Sequence, residues 1–262
     1  MLALRPRPSA VVACLASAAL TAACGGAEVT STPQGEGSPA PVAAERTAPP
    51  GQAAPSGAPR SEATPSEETP ATTASPEPPT PDELAGVLAR DVPARGSGGT
   101  VVVPGAQPAP GAGEEHRVRV EVEGGLPVDG GAFATFVLDT LNDPRGWTAD
   151  GATFSRTDGD ADVVVVLASP ETSAALCRPL RTNGTLSCRK GDRAVLTHFR
   201  WVNGADEFDD LTVYRQYLVN HEVGHYLGHD HVGCPRSGAP APVMQQQTLM
   251  VAPCVPNAWP YP

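Results

Sequence analysis

Polar and apolar residues alternate strictly over His116–Glu123, with Val118, Val120 and Val122 on one side. A period of two predicts a strand with one buried face. Gly99–Val103 reads as a shorter strand before it. Ala161–Ala168 is an apolar, β-branched run broken only by Asp162, the pattern of a central strand covered on both faces. Phe133, Phe136, Val137 and Leu141 trace one helix face behind Asp129, a candidate N-cap, and Pro144 ends that helix. Ala194–Thr197 predicts a further strand, with Phe199–Val202 its approach to the next element. Leu211, Tyr214, Leu218, His221 and His225 then follow at spacings of three and four. They predict a helix over 211–227, capped by Asp209 or Asp210. Helices interspersed with strands indicate an α+β or α/β architecture.

The first hundred residues follow another pattern. Arg5 and Arg7 precede an apolar stretch, Ala10–Ala23, too short to span a bilayer, so residues 1–23 read as a signal peptide. Small residues before Cys24 and glycines after it resemble a bacterial lipoprotein signal, with cleavage before Cys24 and lipid on its sulfur; ordinary secretion is the alternative. Residues 24–96 are dominated by Pro, Ala, Ser, Thr, Glu and Gly and read as a disordered tether, with a short helical turn at Pro81–Arg90. A flexible coil of ~70 residues spans roughly 45–50 Å. Residues 97–262 form one domain, in which 19 acidic residues face 12 basic ones. That balance excludes nucleic acid as an expected partner.

Cys177, Cys188, Cys234 and Cys254 remain beyond Cys24. An even number in an exported domain suggests two disulfides, and the sequential pairing is favoured. Asn183 and Gly184 lie midway in the first pair as a tight-turn signal, so Cys177–Cys188 would clamp a hairpin. Cys234–Cys254 would tie the chain after His231 to the tail.

His221, Glu222, His225, Gly228 and His231 carry the chemistry, in the order H-E-x-x-H-x-x-G-x-x-H. Histidines four apart share a helix face and can turn imidazoles to one ion, while Glu222 sits one step round as a general base. Gly228 can take the left-handed conformation that ends the helix, after which His231 can close the site. His229 is a rival third ligand, but a residue directly after Gly228 points away before the turn is complete. Three protein ligands leave one position open on a tetrahedral Zn2+.

This motif resembles the zinc signature of the metzincin clan of metallopeptidases. The resemblance implies an α+β fold with a twisted mixed sheet and an active-site helix, followed by a small irregular C-terminal subdomain. It also implies a methionine in a tight turn beneath the metal, for which Met244 is the candidate and Met250 the weaker one. Val232 after the third histidine, and Gln246 where some families place tyrosine, set the chain apart from the familiar families. The stretch from Gly99 to Tyr261 is also similar to a domain family of unknown function in exported actinobacterial proteins. That similarity is carried by Val120–Leu126, Asp143–Trp147, Tyr214–Tyr217, Asn220–His225 and Pro242–Thr248.

The expected activity is zinc-dependent hydrolysis of a peptide or protein substrate, with the strand at Ala194–Thr197 as the edge that receives the peptide. The chain would act as a monomer outside the cell membrane, held to the bilayer through lipidated Cys24, or secreted. A non-proteolytic zinc-binding envelope lipoprotein and an amidase acting on wall peptides are the alternatives.

Overall fold

The computed structural model describes residues 77–262. The proposed signal peptide, Cys24 and the tether up to residue 76 lie outside the described residues.

Six strands form one mixed sheet: β1 (Thr100–Val102), β2 (Glu114–Glu123), β3 (Ala152–Arg156), β4 (Val163–Ala168), β5 (Cys188–Lys190) and β6 (Arg193–Thr197). Five helices accompany them: α1 (Pro81–Leu84), α2 (Gly130–Leu141), α3 (Pro170–Leu176), α4 (His198–Asn203) and α5 (Leu211–Tyr226). The architecture is α+β. The sheet order is β1-β2-β4-β6-β5, and β3 pairs with the other half of β2 beside β1. β2, β3, β4 and β6 run parallel, whereas β1 and β5 are antiparallel to their neighbours.

The apolar run of β4 is central and buried along its whole length, as expected. Its residues part by alternation. Val163, Val165 and Leu167 join Phe133, Leu141, Trp201, Tyr214 and Val219 in the main core, so α2, α4 and α5 cover that face. Val164, Val166 and Ala168 pack on the opposite face against Leu176 of α3. Asp129 caps α2 by accepting from the Ala132 amide, and Asp210 caps α5 by accepting from the amides of Thr212 and Val213.

Three expectations are corrected. First, the ordered chain begins before residue 97. Arg215 of α5 is fully buried and donates to the carbonyls of Trp201 and Pro81 and to Asp82 at 2.6–2.7 Å, and the Trp201 indole donates to the Ala85 carbonyl at 3.1 Å. The last stretch of the expected tether is therefore a strap on the back of the histidine helix. A buried guanidinium needs this many acceptors, and residues 81–85 supply two of them. Second, Phe199–Val202 is part of helix α4. Third, Ala194–Thr197 is not an edge: it lies in β6, paired on both sides, and the free edge beyond it is β5.

The sequential cysteine pairing is the one observed, with Cα separations of 5.9 Å for Cys177–Cys188 and 5.7 Å for Cys234–Cys254. The first bridge does not clamp a hairpin. It joins the end of α3 to the start of β5 across a loop in which Asn183 and Gly184 both have positive φ, 52° and 72°. Residues 228–262 contain no helix or strand. They are held by the second bridge, by the small cluster of Ala239, Ala241, Val251 and Cys254, and by paired hydrogen bonds between Gln247 and Asn257.

Candidate metal centre

Helix α5 has tyrosines and histidines along one buried line, Tyr214, Tyr217 and His221, and the line opens to solvent at His225. The helix ends at Tyr226; Gly228 follows at φ 95°, and the chain reverses so that His231 returns to the first two histidines. The ligand-capable nitrogens of His221, His225 and His231 all lie within 4.8 Å of one another. Nε2 of His231 is 3.0 Å from Nε2 of His225 and 3.3 Å from Nε2 of His221.

Hydrogen bonding fixes the tautomers of the first two rings. Nδ1 of His221 lies 2.8 Å from the Val243 carbonyl, and Nδ1 of His225 lies 2.8 Å from the His229 carbonyl. A carbonyl only accepts, so each Nδ1 carries the proton and each Nε2 presents a lone pair. His231 Nε2 can donate its one proton to one of them and leaves the lone pair of the other without a donor. A cation held by all three nitrogens removes that conflict. Tetrahedral zinc with Zn–N near 2.0–2.1 Å places its nitrogens about 3.3–3.4 Å apart. The three histidines can therefore hold a metal ion, and both helix histidines have the carbonyl partners that orient metal-binding imidazoles.

The rival ligand is placed elsewhere. The His229 ring stacks on Trp147 at 4.4 Å between centroids and 17° between planes. Trp147 is itself held by its indole N–H on the Asn220 carbonyl at 3.0 Å. His229 is committed to that stack, and His231 is the third histidine of the cluster.

Met244 is buried, whereas Met250 is exposed. Met244 lies in the turn Pro242–Gln245, closed by the Gln245 amide on the Pro242 carbonyl at 2.9 Å. Its sulfur packs against Gly224, where an added Cβ would come within 2.5 Å of it. The same turn presents the Val243 carbonyl to His221, and the Met244 carbonyl accepts from the Val232 amide at 3.2 Å. One turn thus supports His221 from below and holds the strand of chain that follows His231.

Glu222 is buried beside this cluster, and its Oε2 has no hydrogen-bond partner. Burial pushes its carboxyl up to about 8. Burial also drives His221 down to about 3, and it lowers His231, with His225 adding to the effect in both. Both shifts favour the neutral imidazole, the form that can ligate. All four residues line one cleft of about 510 Å³ between β5 and the 246–249 segment. Its walls also carry Arg181, Arg189, Leu180 and Leu249.

A family profile described as "Protein of unknown function (DUF3152)" matches residues 88–253. The chain belongs to this family. No curated protein and no solved structure matches it. The DUF3152 match spans the whole described sheet, α5 and the Met244 turn, and it assigns no activity to them.

Sequence reasoning located His221, Glu222, His225, His231 and Met244. It did not foresee Trp147, the Val243 carbonyl or Arg189 at the site. Arg189 on β5 donates from Nε to the His225 carbonyl at 3.1 Å. The only sequence signal for it was the crowding of basic residues between 178 and 200.

Proposed function

We propose that this chain is an exported zinc-dependent peptidase with a metzincin-like centre. The observation that carries the reading is one cleft in which three imidazole Nε2 atoms converge beside a buried carboxylate oxygen with no partner. A purely structural site gains nothing from burying an unpaired carboxylate, which costs on the order of 1–3 kcal/mol or more.

Zinc held by the three histidines would supply Lewis acidity, which acidifies water towards a pKa of about 7 and polarises a carbonyl. The remaining work falls to the chain. Val243 and His229 carbonyls hold the imidazoles of His221 and His225 in the ligating tautomer. Glu222, as the carboxylate, would take a proton from the attacking water and return it to the departing amine. Strand β5 offers a free antiparallel edge beside the cleft, on which an extended peptide can add its main chain. Met244 keeps the floor rigid beneath His221.

Two disulfide pairs support an oxidising, extracytoplasmic setting. Attachment to the bilayer through Cys24 is part of the same proposal. The test is cleavage of a fluorogenic peptide library by the purified chain. Turnover that is lost with a chelator and restored by zinc supports the reading. Chelator-insensitive cleavage, or none at any zinc level, contradicts it.

A further inference from the structure

The wall of the cleft formed by the α3–β5 loop and β5 is basic in an acidic protein. Six of the twelve basic residues after residue 96 fall between 178 and 200, where Asp192 is the single acid. Two of them, Arg181 and Arg189, line the cleft itself. The Nε–His225 bond fixes the Arg189 guanidinium at the metal end of β5 and uses one of its five donors. No carboxylate pairs with Arg181 or Arg189 among the described residues, whereas Arg95, Arg117, Arg119, Arg145 and Arg215 each have one. Asp230 is the one other acid besides Glu222 on the cleft lining. Unpaired cations on a low-dielectric wall concentrate ligands of the opposite sign. Leu180 and Leu249, 55% and 57% exposed, also line the cleft and are suited to the aliphatic part of such a ligand.

We propose that the cleft selects peptides that carry a carboxylate close to the bond presented to the histidine cluster, with Arg181 and Arg189 as the carboxylate-binding pair. Resting on the peptidase reading, it adds the substrate class. A planar guanidinium matches a carboxylate in two-point geometry, so the recognised group is a Glu or Asp side chain or a free C-terminus.

The test separates these sources and the two levels of the argument. Glu222→Gln full-length protein, loaded with zinc, is titrated with fluorescent decapeptides in matched pairs. One pair differs as Glu against Gln at each successive position with an amidated terminus. The other differs as free acid against amide at the C-terminus. At least one acid form is expected to bind about tenfold more tightly than its neutral partner, the size of one charge-assisted hydrogen bond in water. That preference should shrink with added salt and vanish in Arg181→Gln and Arg189→Gln, both exposed positions, with Arg189→Lys retaining part of it. Equal binding of acid and neutral partners overturns the proposal while leaving the peptidase reading intact. A preference that survives both Arg replacements overturns the assigned pair. Failure of every peptide to bind overturns both the peptidase reading and the substrate class.

Discussion

Gly224 is the x before the second histidine of the motif, and its replacement by alanine probes the support of the site without touching a ligand. A Cβ there would lie 2.5 Å from the Met244 sulfur and 2.6 Å from Cζ2 of Trp147. Ordinary contacts need about 3.5–4.0 Å, so roughly 1 Å of movement is required of two buried side chains. Neither yields easily. Trp147 is pinned between the Asn220 carbonyl and the His229 ring, and Met244 belongs to the turn whose Val243 carbonyl orients His221. Alanine gains about 1 kcal/mol of helix propensity over glycine. Overpacking of this kind costs about 1–3 kcal/mol, and two simultaneous clashes place it at the upper end. Gly224→Ala should therefore lose about 2 kcal/mol in urea unfolding at an unchanged slope. Because the turn that holds His221 must give way, zinc affinity measured by chelator competition should fall roughly 10–100-fold. A variant as stable as the parent, with unaltered zinc affinity, refutes this packing argument.

His231→Ala should abolish stoichiometric zinc binding and His229→Ala should preserve it, as read by elemental analysis; the reverse result would reassign the third ligand. Asp82→Ala strips a buried Arg215 of its only carboxylate, and chemical denaturation should show a loss of about 3 kcal/mol, the lower end for a buried pair because Asp82 is 21% exposed. An unchanged midpoint would mean the strap contributes nothing. His198 is buried without a hydrogen-bond partner, and burial lowers it to about 4 from 6.5. The folded state thus prefers the neutral ring. Its contribution is present above pH ~6.5 and is lost as pH falls towards 4, by roughly 2–3 kcal/mol. His198→Leu should flatten the acid limb of unfolding free energy against pH, and identical limbs for both proteins would refute the assignment.

The site was legible because its determinants are local. Helical spacing, the Asp210 cap and Gly228 all act within one stretch of chain, and β4 announces itself as an apolar run. Long-range contacts decided the rest. Residues 81–85 lie in a stretch with the composition of a spacer, and contacts with the buried Arg215 and Trp201 make them part of the fold. β5 is three residues long and two of them are Arg189 and Lys190, so no hydrophobic pattern marks it. It is a strand because β6 pairs with it and Cys188 tethers it to α3. The turn after Gly228 already favours His231 over His229, but the stack that captures His229 is not legible in the sequence, because Trp147 comes from a distant turn.

The proposed chemistry depends on His221, His225 and His231 holding one zinc ion beside Glu222. Elemental analysis of the purified chain, dialysed against equimolar zinc and then against metal-free buffer, tests it most directly. One zinc per chain is expected, retained by Glu222→Gln and lost by His221→Ala. Zinc well below one per chain, or one per chain that survives His221→Ala, would contradict it.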